Sequence, residues 1–220
     1  MSPLYSLSGI RQRYAGRLAL DLPSLSIEEG SIVGVAGPNG SGKSTLMRML
    51  AFLEMPQEGQ IRFDGISVDA SSGGSRAAML RKHVTLLTQE PYLLRRTVAE
   101  NVGYGLAVRG HRNSADAVRQ ALADVGLPAQ EFMHRQWFEL SGGEAQRVAL
   151  AARIILRPKV LLMDEPTSSL DEESAERIRM ASMRMRDAHG TTLVIVSHDR
   201  EWLDSVTDTM VMLRNGHLAG

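Results

Sequence analysis

An apolar pentapeptide that runs into a glycine loop and then into a helix constrains this chain more than any other stretch. Ile32-Val33-Gly34-Val35-Ala36 has the composition of a buried strand. The loop is Gly37-Pro38-Asn39-Gly40-Ser41-Gly42-Lys43-Ser44-Thr45, and Leu46, Met49, Leu50 and Leu53 follow at helical spacing. Strand, glycine loop and helix together form the context of a phosphate-binding P-loop. Glycines let the backbone turn tightly and bring N–H groups against phosphate oxygens. The helix N-terminus adds partial positive charge at the anion. Lys43 offers a full charge to the outer phosphates, and Ser44 and the loop offer a hydroxyl seat for Mg2+. The stretch implies binding of a nucleoside triphosphate.

Three further apolar runs end in polar residues. Val84-Thr85-Leu86-Leu87-Thr88 ends at Gln89, Val160-Leu161-Leu162-Met163 at Asp164-Glu165, and Thr192-Leu193-Val194-Ile195-Val196-Ser197 at His198. Such runs suit parallel strands covered on both faces. Ligands of open α/β sheets bind at the carboxyl ends of the strands. Four polar groups therefore arrive at one sheet edge, and Thr209-Met210-Val211-Met212-Leu213 completes the sheet. The expectation is an α/β fold: a P-loop NTPase core with a mostly parallel sheet and an N-terminal antiparallel β portion. A helical sub-domain at about 91–156 interrupts a nucleotide core at about 1–90 and 157–220, all within one domain. Pro23 places the strand at 18–27 on an edge. Residues 60–65 alternate as an exposed hairpin does, and Ser71-Ser72-Gly73-Gly74-Ser75 is a surface loop.

Composition excludes several chemistries. The absence of cysteine removes disulfides, thiolate metal sites and cysteine nucleophiles. Twenty-five basic and 25 acidic residues cancel, so charge gives no argument for a nucleic-acid partner, and none is expected. No apolar run approaches the about 20 residues that span a bilayer. The segment Met1-Ser2-Pro3-Leu4-Tyr5-Ser6 has no signal-peptide pattern, so any membrane role runs through a partner.

Two further constellations carry chemistry. Asp164 can hold magnesium through its water shell, and Glu165 can polarise an attacking water. Leu140-Ser141-Gly142-Gly143-Glu144-Ala145-Gln146-Arg147 opens a helical segment, where Ser141 and Glu144 fit a capping box. Exposed backbone donors at that helix start make a second anion site. Both readings hold together, and a second phosphate-facing element far from the first requires an explanation.

Taken in order, these motifs resemble the ATP-binding subunits of ABC transporters over essentially the whole chain. Residues 37–45 resemble the family's Walker A, 160–165 its Walker B with Glu165 at the catalytic base position, and 140–144 its LSGGQ signature with Glu144 in place of Gln. Gln89 falls at the Q-loop, Ser168-Ser169-Leu170-Asp171 at the D-loop and His198 at the switch histidine. Tyr14 lies where the family keeps an aromatic that stacks on adenine. The resemblance implies ATP and Mg2+ as ligands, with Ser44, Gln89 and Asp164 at the metal. It also implies a head-to-tail dimer of identical subunits, in which ATP is sandwiched between one copy's Lys43 loop and the other's Ser141, Gly142 and Gly143. His198 then contacts the γ-phosphate, Gln89 senses the membrane partner, and Asp171 acts across the dimer. Asp171 also reads simply as an acid at the N-terminus of a helix running to His189. Met180, Met183 and Met185 on that helix read as packing.

The span from Lys43 to Ser141 leaves no room for the coiled-coil insert of DNA-maintenance relatives. Translation-associated relatives carry two ATPase domains, exporters commonly carry fused membrane helices, and neither is present. An Asn-Lys-x-Asp base-reading motif of GTPases is absent. The expectation is a separate ATPase subunit on the cytoplasmic face of the cell membrane. It docks on integral membrane permease subunits and is served indirectly by a solute-binding protein. Tyr92, Leu93 and Leu94 lie where importers receive the permease, or else pack internally. The segment 89–106 and the end at Gly220, without a regulatory domain, look like oxyanion importers of the tungstate type. An exporter, a lipoprotein-type complex and a non-transport ABC ATPase are the alternatives.

Overall fold

Side-chain alternation along short parallel strands divides the hydrophobic core in two. The computed structural model describes residues 3–111 and 114–219. Of the segment examined for a signal peptide, Met1 and Ser2 lie outside these, as does Gly220. Strands β3 (Ile32–Ala36), β6 (Val84–Leu87), β7 (Val160–Asp164), β8 (Thr192–Val196) and β9 (Thr209–Arg214) pair in parallel in the order β9-β3-β8-β7-β6. Val33, Val35, Val160, Leu162, Val194 and Val196 point into one core. Ile32, Leu161, Met163, Leu193 and Ile195 point into the other. Period-2 alternation with both faces covered explains why these runs are apolar throughout. Each fully buried aliphatic contributes about 1.5–3 kcal/mol.

The first core is closed by the antiparallel strands β1 (Tyr5–Tyr14), β2 (Arg17–Ile27), β4 (Glu58–Phe63) and β5 (Ile66–Val68), and by helix α1 (Lys43–Leu50). A short β10 (His217–Leu218) joins the two portions into one ten-stranded sheet among the described residues. Tyr5, Phe52 and Phe63 form a ring cluster with centroids 4.7–6.0 Å apart. The Tyr5 hydroxyl donates to the Leu50 carbonyl at 2.7 Å, which ties β1 to the end of α1. The second core is closed by α3 (Val98–Val108), α4 (Ala115–Asp124), α5 (Ala129–Phe132), α6 (Gly142–Ile154), α7 (Glu172–His189) and α8 (Arg200–Val206).

Four local expectations fail for identifiable reasons. Strand β2 runs unbroken through Pro23 and is interior in strand order. Proline is tolerated because β10 meets β2 only at Asp21, so no ladder needs the missing N–H. The serine–glycine stretch is not all loop: residues 73–75 form the first turn of α2 (Gly73–Leu80), preceded by a turn in which Asp69 accepts from Ser71 and Ser72. The helix after the glycine loop stops at Leu50, and Leu53 is exposed beyond it, because Phe52 adopts a φ of 55° and turns into the core. Met185 packs as expected, but Met180 is 41% exposed on the outer face of α7.

Candidate functional site

The glycine loop occupies the junction of β3 and α1 because only glycine fits at its corners. A Cβ on Gly37 would sit 2.2 Å from the Leu213 carbonyl oxygen. On Gly42, whose φ is 105°, it would sit 2.6 Å from the Ala19 carbonyl oxygen. Gly42 is the N-cap of α1, and no side chain caps the helix. The first-turn N–H groups of Lys43, Ser44 and Thr45 therefore face the loop's concavity with no partner inside the helix. Lys43 Nζ folds back onto the carbonyls of Gly37 (2.8 Å) and Pro38 (3.2 Å), which holds its charge over the loop. The Ser41 hydroxyl is buried beneath the loop without a hydrogen-bond partner.

A cavity of ≈440 Å³ opens above this loop. Tyr14, Asn39, Gly40, Gly42, Lys43, Ser44, Thr45, Gln89, Asp164, Glu165 and His198 line it. The strand ends deliver the polar groups as the sheet order requires: β7 brings Asp164 and Glu165, β8 brings His198, and the loop after β6 brings Gln89. A larger groove of ≈800 Å³ lies between α7 and α8 and contains none of these residues. Convergent polar groups, not size, mark a site, and they point to the smaller cavity.

Asp164 faces the same cavity as Ser44. Burial pushes its carboxyl above the usual range, against the opposing pull of Ser44, Lys43 and Arg48. Glu165 is 92% buried and held at a φ of 50° by its N–H bond to the Val196 carbonyl. That conformation costs a non-glycine residue on the order of 1 kcal/mol, a strain found at functional positions. Glu165 Oε2 accepts from the His198 backbone N–H at 3.0 Å. Oε1 lies 3.2 Å from His198 Nε2, without an aligned hydrogen bond, and is otherwise unpartnered. The His198 ring itself is largely exposed at the cavity mouth.

Ser44 and Asp164 suit a hard cation that draws its remaining ligands from phosphate and water. Among the described residues no group of three or more His, Cys, Asp or Glu could hold a metal by itself. The fit is to a metal brought with a phosphate ligand.

Ser141, Gly142 and Gly143 do not line the cavity. Ser141 caps α6: its hydroxyl accepts from the Glu144 N–H at 3.3 Å, and Glu144 Oε2 accepts from the Ser141 N–H at 2.8 Å. Burial acts to raise the Glu144 carboxyl, but these hydrogen bonds, with Arg135 at 3.4 Å, hold it below its usual value. Gly143 packs where a Cβ would meet Ser174 Oγ at 2.4 Å. This seats α6 against the start of α7, which Asp171 caps by accepting from the Ser174 N–H at 2.8 Å.

Two features escaped sequence reading. Gln146, fully buried in α6, donates to the carbonyls of Thr88 (3.0 Å) and Pro166 (3.3 Å). It joins the loops that carry Gln89 and Glu165 to the helix that Ser141 caps. Tyr14 is not an isolated ring either: its hydroxyl donates to Glu54 and accepts from Arg48 at 3.0 Å. Nothing in a linear pattern links positions 14, 48 and 54.

An ABC transporter family model matches residues 20–168. The tungstate uptake system ATP-binding protein of Peptoclostridium acidaminophilum is 32% identical over 97% of this chain and 95% of its own length. A sulfate/thiosulfate import ATP-binding protein of Chromobacterium violaceum is 36% identical over 99% of this chain. The chain spans 60% of that relative's length and 60% of the length of an Fe(3+) ions import ATP-binding protein of Escherichia coli O157:H7. Among solved structures, the ATP-binding cassette MJ0796, a dimer in a post-hydrolysis state with ADP and Pi, superposes with a TM-score of 0.89 at 27% identity. That match covers 98% of this chain and 97% of the other.

Proposed function

This chain belongs to the ABC transporter family as an ATP-binding, ATP-hydrolysing subunit, and from that premise we propose that it powers import of a small oxyanion of the tungstate class through separate permease subunits. The tungstate and sulfate relatives support the solute class. Transported solute has no contact with this subunit in such an arrangement, so the assignment rests on that kinship. Among the described residues no helix is long and apolar enough to cross a membrane; attachment to the cytoplasmic face through the permease is part of this proposal and follows from the import relatives.

One observation carries the mechanistic reading. Lys43, Ser44, Gln89, Asp164, Glu165 and His198 converge on one cavity, while Ser141–Gly143 stay outside it. ATP enters with its phosphates against the α1 N-terminus and Lys43, and its adenine toward Tyr14. Ser44, Asp164 and Gln89 would hold Mg2+, which when bound neutralises the phosphate oxygens and orients the γ-phosphate. Glu165 Oε1 accepts a proton from the water, whose oxygen attacks the γ-phosphorus. The bond from phosphorus to the β–γ bridging oxygen breaks, leaving ADP and inorganic phosphate. Oε1 is the oxygen for this role because Oε2 is already held by the His198 N–H. His198 Nε2 directs its donor to the γ-phosphate. Ser141, Gly142 and Gly143 of a second, identical copy close over the same phosphate. A contact made only with the γ-phosphate present gives ATP the differential affinity that shifts a conformational equilibrium.

Glu165→Gln tests this reading. ATP affinity should hold, turnover should fall about 10²–10⁴-fold, and an ATP-dependent dimer should accumulate on size exclusion. A variant that hydrolyses ATP at the normal rate removes Glu165 from the base role. For the transport claim, affinity purification from membranes should recover a defined integral membrane protein. Recovery of ribosomes or DNA alone would support a non-transport ATPase.

A further inference from the structure

We propose that Glu54, together with Arg48, is a positioning residue for nucleotide-base recognition that fixes the Tyr14 ring from behind; this rests on the reading of Tyr14 as the adenine-facing ring. Tyr14 ends β1 and is 42% exposed at the cavity edge, so nothing packs tightly enough around the ring to hold it. Its hydroxyl is held instead. It donates to Glu54 Oε1 and accepts from Arg48 at 3.0 Å. Glu54 is itself fixed on two further sides. Arg48 Nε donates to its Oε2 at 2.9 Å, and Gln12 Nε2, from a buried side chain on β1, donates to its Oε1 at 2.8 Å. Arg48 sits on α1 and also reaches Thr45 Oγ1 of the glycine loop at 3.3 Å.

The consequence is a continuous set of hydrogen bonds from the phosphate loop to the ring. A free surface tyrosine loses rotamer freedom when a ligand immobilises it. Here that freedom is already lost before ligand arrives. The carboxylate also couples the ring to α1, so the distance between ring and phosphate loop is set by one helix and its own side chains. A tyrosine rather than a phenylalanine is required at position 14, because only the hydroxyl reaches Glu54 and Arg48. Glu54 touches neither the cavity nor, on this arrangement, the nucleotide; it acts through Tyr14.

The test compares ATP with inorganic tripolyphosphate, which has the phosphates but no base, using full-length protein and isothermal titration. Tyr14→Phe and Glu54→Ala should each weaken ATP binding about three- to tenfold and leave tripolyphosphate affinity unchanged. In steady state the same variants should raise KM for ATP and hold kcat. The double variant should be no weaker than either single one, because both remove the same restraint. Three results overturn the proposal: ATP affinity unchanged in Glu54→Ala, equal loss for ATP and tripolyphosphate, or additive losses in the double variant. Tyr14→Ala separates this inference from the reading beneath it. If Tyr14→Ala leaves ATP affinity intact, the adenine-facing role falls and the positioning role with it. If Tyr14→Ala weakens ATP while Glu54→Ala is silent, only the positioning role falls. Tyr14→Phe removes one exposed hydroxyl and keeps the ring, so it decides the question even if Glu54→Ala fails to fold.

Discussion

The helix N-termini at Gly42 and Ser141 are built from similar residues and left in opposite states. The first follows a turn of glycine and serine and the second opens on Ser141-Gly142-Gly143, and both carry four backbone N–H groups that the helix cannot satisfy. At α1 nothing fills them: the N-cap is a glycine at φ 105°, no side chain caps it, and the first turn has no acid. At α6 the chain fills half of them itself: Ser141 and Glu144 exchange hydrogen bonds in a capping box that uses the N–H groups of Ser141 and Glu144 and not those of Gly142 and Gly143. The first end is therefore a standing anion site with a lysine above it. The second is a half-capped helix start, where the Gly142 and Gly143 N–H groups stay outside the box and the Glu144 carboxylate stands beside any anion that approaches. On the proposed reading, a subunit built this way would hold ATP at one end on its own and engage the other end only when a partner presents the phosphate.

The largest effect should come from emptying the first end of charge. Lys43→Ala removes the lysine charge held over the loop, and ATP affinity should fall at least about 30-fold, from loss of a charge-assisted interaction worth about 2–3 kcal/mol. Fluorescent-nucleotide titration of the monomer measures it. Unchanged affinity would mean that backbone donors alone carry the site. Ser141→Ala, at the other end, should leave monomer affinity unaltered and abolish ATP-dependent dimer formation.

That asymmetry was only half legible in the sequence. The glycine loop could be read because its chemistry is local: nine consecutive residues make the corner, the donors and the charge. The strand ends were legible because parallel strands buried on both faces leave uninterrupted apolar runs that stop at Gln89, Asp164 and His198. Capping at 141–144 was legible because its partners are three residues apart. What stayed hidden depends on distant pairs. Gln146 reaches Thr88 and Pro166, and Glu54 reaches Tyr14, across 58, 20 and 40 positions of chain, and no periodicity reports such a contact. Pro23 was misplaced because its tolerance depends on where β10 stops, and Phe52 ended α1 early because the ring cluster with Tyr5 and Phe63 draws it inward.

The capped helix end and the cavity beside the uncapped one should also respond with opposite sign when stability is measured without nucleotide. Ser141→Ala deletes a working cap and should cost about 1 kcal/mol, or about 2–4 °C in Tm for a chain of this size. Asp164→Asn should do the reverse. Burial raises the Asp164 carboxyl in the folded chain above its unfolded value of about 3.9. Its ionised form is thus disfavoured by folding at neutral pH, and the lost stability returns as pH falls through the raised value. Asparagine removes that charge, so the nucleotide-free variant should melt higher than the parent while losing ATP turnover. The gain should shrink when both proteins are compared at acid pH. A variant that melts lower than the parent would show that Ser44 and Lys43 already compensate the buried carboxylate.

The smallest effect tests the capped end most directly. Glutamine is accepted at the third position of a capping box, so Glu144→Gln keeps the hydrogen bond to the Ser141 N–H and removes only the charge. A carboxylate beside an incoming phosphate in high dielectric opposes it by at most about 1 kcal/mol per charge pair. In the Glu165→Gln background, the ATP concentration that half-saturates dimer formation should therefore fall about two- to threefold, as followed by analytical ultracentrifugation. The difference should fade as salt rises past about 0.15 M, where the screening length drops to about 8 Å. Mild acid should not reproduce it, because the hydrogen bonds from Ser141 hold the Glu144 carboxyl below its usual value and keep it ionised well below neutral pH. A Glu144→Gln variant that closes at the same ATP concentration at low salt would show that Arg135, 3.4 Å from the carboxylate, already cancels its field. The two helix ends would then differ only in who supplies the cap, not in how welcome the phosphate is.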